Sequence, residues 1–292
     1  MPRDAVDTSG LTASRGRQMQ TVWCDIAGRE DMDKIKYAVF LDIDGTLTWG
    51  SPTTSEENVA VLRQAQAEGH LICINSGRSR GNIPKELLEQ LPFDGIVAGG
   101  GAYVSLHDKI LHREEIPPAM VLEICRLFLQ IGICCVIEGE SSSAIVNPDR
   151  VSEFFPIRSM EDAARFAEAE HATKLTVLAV KEQLPASFDA LLSPYFNIIY
   201  HPNYTEAILK QCDKAQGMEI LLQEAGIPRE HSVALGDSLN DMEMLAYAGL
   251  SVAMGNALDE VKAAVDRVTA PVLENGVAKA VRQYVLNRDA AE

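Results

Sequence analysis

Short apolar runs alternate with amphipathic runs along most of this chain. Three of the apolar runs have the length of buried strands, and they lie at residues 39–41, 71–74 and 233–235. The amphipathic run before the third ends at Gly226 and carries apolar residues at helical spacing, namely Met218, Leu221, Leu222 and Ala225. Alternating strands and helices predict a parallel sheet covered on both faces. We therefore predict an α/β core with a doubly wound parallel sheet.

The segment after the first strand predicts a helix with a defined start. Thr54-Ser55-Glu56-Glu57 offers a capping box, and Val59 and Leu62 are expected to face the core. Gly69 is the predicted end of this helix. The order is thus strand, helix, strand.

Residues 103–203 contain a second α/β pattern that is sufficient for a separate small core. A helix is predicted around Met120 to Phe128, and strands are predicted over residues 131–137 and 175–180. The polar stretch 138–143 is typical of a surface turn, with a substrate-facing loop as the alternative. The histidines of this region, His201 among them, are not at metal-ligand spacing and receive no role. We predict a core formed by residues 36–102 and 204–292, with an α/β domain inserted at 103–203.

Composition narrows the classes of partner. The 292 residues carry a formal net charge of −16 and a sequence pI of about 4.8, so the average surface repels nucleic acid and anionic membranes. No apolar stretch approaches the ~18 residues that span a bilayer. The six cysteines are irregularly spaced and are expected to be reduced core residues. Residues 1–35, rich in small and polar residues, are predicted to be a poorly ordered extension of a cytoplasmic protein.

Candidate chemistry lies where the predicted strands end. Asp42 and Asp44 follow the first strand at a spacing that directs two strand side chains to one side, and Gly45 and Thr46 come next. Two further groups are placed in the same way, and a lysine precedes the amphipathic helix. The two groups are Ser76-Gly77-Arg78 and Gly236-Asp237-Ser238-Leu239-Asn240-Asp241, and the lysine is Lys214. Together they indicate a phosphoryl-transfer site.

In this order, the four segments resemble the motifs of the haloacid dehalogenase (HAD) superfamily of aspartate-nucleophile phosphatases. The roughly 135-residue gap between the second and third motifs resembles the Cof-like branch, which carries a large inserted cap. The resemblance spans residues 36–284. One departure is Gly99-Gly100-Gly101-Ala102, where family members commonly have Asn-Gly-Ala. The missing amide puts a substrate contact from that loop in doubt.

The resemblance implies a Rossmann-like HAD core, an α/β cap over the site at 103–203, and a bound Mg²⁺. Its protein ligands would be the Asp42 side chain, the Asp44 carbonyl and the Asp237 side chain, with Asp241 binding directly or through water. Asp42 is then the nucleophile and Asp44 the general acid and base. Phosphoryl oxygens would be bound by side chains and backbone amides of Gly45, Thr46, Ser76, Gly77 and Lys214. Asn240 would orient the fourth motif, and Arg78 would either reach the substrate or brace the cap.

The function expected from this resemblance is hydrolysis of a small phosphorylated metabolite, with a sugar phosphate favoured. Two alternatives stay open. A phosphomutase uses the same aspartyl chemistry but returns the phosphoryl group to a sugar. A binding protein that keeps the fold without turnover would be expected to lose Asp42, Asp44, Lys214 or Asp237, and all four are present.

Overall fold

The structure is a computed structural model that describes residues 36–148 and 152–286. The predicted extension at residues 1–35 lies outside the described residues, as do Cys24 and residues 287–292. In chain order, the strands are β1 Ala38–Leu41, β2 Leu71–Asn75, β3 Gly95–Ala98, β4 Tyr103–Leu106, β5 Lys109–Arg113, β6 Cys135–Gly139, β7 Ser143–Val146, β8 Phe155–Ile157, β9 Ala172–Val177, β10 Phe196–Tyr200, β11 Thr205–Leu209, β12 Ser232–Gly236, β13 Leu250–Ala253 and β14 Arg267–Val268. The α-helices are α1 Glu56–Ala67, α2 Lys85–Gln90, α3 Pro118–Ile131, α4 Met160–Ala169, α5 Ala186–Leu192, α6 Lys214–Ala225, α7 Met242–Tyr247, α8 Asp259–Ala263 and α9 Gly276–Val281.

The first sheet has the order β14-β13-β12-β1-β2-β3-β4-β5 and is parallel from β14 to β3. Its strands β1, β3 and β12 are buried on both faces because helices cover each face, whereas the edge strands β5 and β14 are largely exposed. Val39 and Leu41 pack with α1 and α9 on one face, whereas Ala38 and Phe40 pack with α6 and α7 on the other. This alternation follows from the two-residue period of a strand. The predicted α/β fold with a doubly wound parallel sheet is confirmed.

The second sheet has the order β10-β11-β9-β6-β7-β8 and is mostly antiparallel. Helices α3, α4 and α5 cover one face, where Ile124, Phe166 and Phe188 pack on the strands. The opposite face carries Glu138, Lys174 and Glu206, which are polar. A sheet covered on only one side leaves its second face available for other contacts. We call this second unit the cap.

The two sheets do not divide at residues 103 and 203, where the sequence analysis placed the domain boundaries. Strands β4 and β5 extend the first sheet, because the hairpin from β3 continues its hydrogen bonding past residue 103. Strand β11 pairs with β9 and β10 of the cap, so the cap continues past residue 203. The division into a core and a cap stays a prediction, and we place its boundaries near residues 114 and 210.

The helix start predicted at Ser55 agrees with the structure, whereas predictions made from apolar runs are less accurate. Ser55 caps α1 by accepting a hydrogen bond from the Asn58 backbone N, but Val61 is buried on the core face where Val59 was predicted. The predicted strand at 131–137 is wrong at its start, because α3 runs to Ile131 and ends at Gly132 with a left-handed φ of 71°. Within the described ranges, no helix has the length and apolarity needed to cross a membrane. Cys73, Cys125, Cys135 and Cys212 are buried, as predicted, whereas Cys134 is half-buried.

Candidate active site

A buried lysine joins two of the three carboxylates at the centre of the site. Asp42 follows β1, where its backbone N donates to Leu235 O of the neighbouring β12 at 3.1 Å. Lys214 begins α6 and is held there by Asn75, whose Nδ2 donates to Lys214 O at 3.0 Å. Lys214 Nζ donates to Asp42 Oδ1 at 2.7 Å and to Asp241 Oδ1 at 2.5 Å. All three side chains are almost fully buried.

The loop after β12 brings the remaining carboxylate to this group. Asp241 Oδ2 accepts hydrogen bonds from the backbone N of Asp237 at 2.9 Å and of Ser238 at 3.0 Å. Asp241 therefore has one oxygen on Lys214 and the other on its own loop. Carboxylate oxygens of Asp42, Asp237 and Asp241 lie within 4.8 Å of one another. Four carboxylates, Asp44 among them, are predicted to converge here, and the structure brings together three of them, Asp42, Asp237 and Asp241.

Negative charge is poorly compensated in this group. Burial, followed by repulsion from Asp241, raises the pKa of Asp42 to about 7, with Lys214 acting in the opposite direction. Burial and Asp241 likewise raise the pKa of Asp237 to about 7. Among the described residues, Asp237 Oδ1 is buried and has no hydrogen-bond partner. A buried oxygen without a donor is costly, and a cation would satisfy it.

The turn after Asp42 depends on Gly45. Its φ is +89°, and a Cβ at this position would lie 2.2 Å from Asp237 Oδ2. A side chain here would therefore collide with the Asp237 carboxylate. The adjacent Thr46 is buried, and its hydroxyl has no partner among the described residues. Glycine is required at position 45 both for the backbone conformation and for the space beside Asp237.

Asp44 points away from the buried group and is paired with Arg78. Arg78 Nε donates to Asp44 Oδ2 at 2.6 Å, and Nη2 donates to Oδ1 at 2.8 Å. The Asp44 side chain is 59% exposed. Its carboxylate is not part of the group that Asp42, Asp237 and Asp241 form. The predicted involvement of Asp44 in metal binding rests on its backbone carbonyl and stays a prediction.

Ser76, Gly77 and Asn240 line the neighbouring loop. Ser76 Oγ accepts a hydrogen bond from the Arg78 backbone N at 3.2 Å. Gly77 faces Asn240, whose Nδ2 is 3.7 Å from the position of a Cβ at residue 77. Asn240 is exposed, and its Oδ1 accepts from Ser238 Oγ at 2.8 Å. Asn240 thereby contacts the fourth-motif loop that the sequence predicted it would orient.

The glycine loop at 99–101 supports this neighbouring loop through its backbone. Gly99 N donates to Arg78 O at 2.7 Å, and Gly100 N donates to Ser76 O at 3.1 Å. Gly101 has a φ of +101°, and a Cβ there would lie 2.3 Å from Asp213 O. The departure from Asn-Gly-Ala therefore replaces an amide side chain with a tightly packed backbone turn.

Three residues that the sequence analysis missed connect the cap to this loop. Lys174 Nζ donates to Gly77 O at 3.2 Å, and Asn82 Nδ2 donates to Glu138 Oε2 at 2.9 Å. Glu138 is buried within β6, so the predicted surface turn begins only after Gly139. The sequence signal that could have identified two of them is a charged residue within a strand, which Glu138 provides in β6 and Lys174 provides in β9. A lysine or glutamate at a buried strand position has a partner more often than not.

Open α/β sheets bind their ligands at the carboxyl ends of their parallel strands, and in this protein that edge carries the acidic group. The chain matches the haloacid dehalogenase-like hydrolases over residues 39–281 and belongs to that family. The predicted superfamily and the assignment to the hydrolases are confirmed.

Named relatives cover most of the chain. The 5-amino-6-(5-phospho-D-ribitylamino)uracil phosphatase YcsE of Bacillus subtilis is 30% identical over 88% of this chain and 98% of its own length. YitU, a second Bacillus subtilis protein with the same enzyme name, is 27% identical over 87% of this chain and 99% of its own length. The solved structure of the HAD subclass IIB sugar phosphatase BT4131 is similar with a TM-score of 0.69 and 27% identity. That match covers 85% of this chain and 99% of the other.

Proposed function

We propose that this protein is a Mg²⁺-dependent phosphatase that hydrolyses a small phosphorylated metabolite through an aspartyl-phosphate intermediate. The observation that carries the proposal is the buried group in which Lys214 bonds both Asp42 and Asp241, with Asp237 beside them. This group lies at the carboxyl ends of parallel strands, where open α/β sheets bind their ligands. The names of the relatives, two ribitylaminouracil phosphatases and one sugar phosphatase, favour a phosphorylated sugar or polyol as the substrate class.

The acidic group fits Mg²⁺. The ion prefers carboxylate and carbonyl oxygens, and the unpartnered Asp237 Oδ1 is such a ligand. The side chains of Asp42 and Asp237 and the carbonyl of Asp44 would hold it, and Asp241 would contribute through water because both its oxygens are already bonded. When bound, Mg²⁺ would offset the negative charge of the phosphoryl group.

In the first step, a carboxylate oxygen of Asp42 attacks phosphorus while the bond from phosphorus to the leaving oxygen breaks. This gives an acyl phosphate on Asp42, and the departing alkoxide takes the proton of Asp44, which enters this step as the carboxylic acid and leaves it as the carboxylate. Lys214 keeps the Asp42 carboxylate in position and faces the phosphoryl oxygens with positive charge. Asp44 accepts two hydrogen bonds from Arg78 in the structure, so proton transfer requires that at least one of them opens.

In the second step, Asp44 takes a proton from water as that water attacks the phosphorus of the acyl phosphate. Inorganic phosphate leaves, and the Asp42 carboxylate is restored. A phosphomutase would instead pass the phosphoryl group to a sugar hydroxyl. Analysis of the products distinguishes the two, because only hydrolysis releases phosphate in an amount equal to the substrate consumed.

The experiment is hydrolysis of p-nitrophenyl phosphate by the purified protein, with Mg²⁺ and with excess EDTA. We expect turnover only with Mg²⁺. Asp42→Asn should abolish turnover and covalent labelling by phosphate, because an amide is not a nucleophile in this reaction. The control is Asp259→Asn, which makes the same change at an exposed carboxylate of α8. Near wild-type turnover by Asp42→Asn would refute the aspartyl-phosphate mechanism, and undiminished turnover in EDTA would refute the metal requirement.

A further inference from the structure

The face of the cap sheet that no cap helix covers carries a row of charged residues beside the candidate active site, and Glu138 and Lys174 of this row are buried against the core loop. Lys174 lies between Glu138 on β6 and Ile208 on β11, and Glu206 lies two residues before Ile208 on β11, opposite Thr176 and on the same face. His201 and Tyr204 follow β10 and complete the row. We call Glu138, Lys174, His201, Tyr204 and Glu206 the cap cluster.

Hydrogen bonds fix the members of the cap cluster relative to one another. Lys174 Nζ donates to Glu206 Oε1 at 2.5 Å, and His201 Nε2 lies 3.2 Å from Glu206 Oε2. The rings of His201 and Tyr204 stack with centroids 4.3 Å apart and an interplanar angle of 15°. Glu138 Oε1 accepts from Thr176 Oγ1 at 2.6 Å. The cluster is therefore pre-organised rather than a set of mobile surface charges.

The position of the cap cluster places it on the side of the site where the leaving group departs. Lys174 also donates to Gly77 O, and the next residue is Arg78, which holds the proton donor Asp44. Tyr204 stacks on His201, which contacts Glu206, the partner of Lys174. Asp44, which protonates the leaving oxygen, thus borders the same space as the cap cluster.

The cap cluster has a net negative charge. Glu138 and Glu206 contribute two carboxylates and Lys174 contributes one ammonium. Burial acts to lower the pKa of Lys174, but Glu138 and Glu206 outweigh it and raise the pKa above its usual value, so the ammonium stays charged. Asp44 and Arg78 nearby neutralise each other. An anionic group brought into this space would meet repulsion that is not compensated.

We propose that the cap cluster is the subsite for the leaving group and that it selects a neutral polyhydroxylated group over one with a further anionic charge. The proposal rests on the proposed function, whose substrate class it makes specific. Carboxylates accept hydrogen bonds from sugar or polyol hydroxyls, and Lys174 and the Tyr204 hydroxyl donate to them. The His201 and Tyr204 rings offer an apolar edge to the carbon chain. A second phosphate or a carboxylate on the substrate is disfavoured by Glu138 and Glu206.

The experiment compares glucitol 6-phosphate with 6-phosphogluconate, two open-chain six-carbon phosphates that differ at C1, where the first has a hydroxymethyl group and the second a carboxylate. With Mg²⁺, the wild-type kcat/KM for glucitol 6-phosphate should exceed that for 6-phosphogluconate by about tenfold or more, which corresponds to about 1.4 kcal/mol. Glu206→Gln keeps the size of the side chain and removes one negative charge. It should lower this ratio to roughly a third or less of the wild-type value. The matched control Glu168→Gln, on the exposed side of α4, should leave the ratio unchanged.

The outcomes separate the subsite from the proposed function. Equal or faster hydrolysis of 6-phosphogluconate by the wild type overturns the subsite, as does an unchanged ratio in a folded Glu206→Gln. If that variant does not fold, Glu138→Gln removes another charge of the cluster, and the wild-type comparison decides by itself. Turnover of p-nitrophenyl phosphate without turnover of any sugar or polyol monophosphate also overturns the subsite while the proposed function stands. Failure to hydrolyse even p-nitrophenyl phosphate contradicts the proposed function, and the subsite with it.

Discussion

Replacing Gly45 with alanine tests whether the turn after β1 positions Asp237. Gly45 has a φ of +89°, and the added Cβ would lie 2.2 Å from Asp237 Oδ2 and 2.5 Å from Asp237 Cγ. Carbon and oxygen atoms that are not bonded cannot approach this closely, so either the turn or the Asp237 carboxylate must move. Gly50 provides a matched control, since its φ is +64° and a Cβ there meets nothing within 4 Å.

The two substitutions share a backbone cost and differ in the contact. Alanine with a left-handed φ costs about 1–2 kcal/mol at either position. At position 45, forced repacking adds about 1–3 kcal/mol. The free energy of unfolding in EDTA should therefore fall by about 2–5 kcal/mol for Gly45→Ala and by about 1–2 kcal/mol for Gly50→Ala. Because the displaced group is a proposed metal ligand, the half-saturating Mg²⁺ concentration should rise about 10- to 100-fold for Gly45→Ala only.

Urea unfolding followed by circular dichroism measures the first quantity, and a Mg²⁺ titration of p-nitrophenyl phosphate hydrolysis measures the second. The comparison is between the two variants, so the shared backbone strain cancels. If Gly45→Ala matched Gly50→Ala in both stability and Mg²⁺ requirement, the steric role of Gly45 beside Asp237 would be wrong.

Three further predictions concern charge in the site. Lys214→Met leaves the buried Asp42 and Asp241 carboxylates without their ammonium, so the free energy of unfolding at pH 8 in EDTA should fall by about 3–5 kcal/mol, and unchanged urea unfolding would contradict this. Because the pKa values of Asp42 and Asp237 are raised from 3.8 to about 7, the stability of the metal-free protein that depends on them is lost as pH rises through 7. Mg²⁺ should therefore increase the free energy of unfolding more at pH 8 than at pH 5.5, whereas equal increments would argue against these carboxylates as ligands. Arg78→Ala leaves the exposed Asp44 side chain without the partner that positions it, so kcat should fall about tenfold for an alkyl phosphate but much less for p-nitrophenyl phosphate, whose leaving group needs no proton; equal losses would show that Arg78 does not act through Asp44.

The central group could be predicted from the sequence because strand ends place it. Asp42 and Asp237 each directly follow an apolar run, and parallel pairing of those runs brings their carboxyl ends to one edge of the sheet. Lys214 required the family resemblance, since a lysine before an amphipathic helix is otherwise a surface charge. Its burial follows from Asn75, which holds the first residue of α6 against the end of β2.

The pairing of Asp44 with Arg78 could not be predicted in the same way. The two-residue spacing of Asp42 and Asp44 directs both side chains to one side only while the strand continues, and β1 ends at Leu41. Beyond that point the turn at Gly45 sets the direction of Asp44, and the turn carries Asp44 toward Arg78 instead of toward Asp237. Side-chain direction in such a turn depends on φ and ψ values that residue types do not specify.

The cap cluster shows a different reason why a site escapes sequence analysis. Glu138, Lys174 and Glu206 are about 30 residues apart along the chain, and only the antiparallel register of β6, β9 and β11 aligns them. A shift of one residue in any pairing would turn its side chain to the buried face, so the cluster depends on register as much as on composition. The catalytic groups depend on strand register as well. They differ from the cap cluster because they lie at strand ends, which a glycine or an aspartate marks in the sequence. Because no such marker exists in the middle of a cap strand, residues for chemistry can be found from motifs, whereas residues for selectivity require the structure.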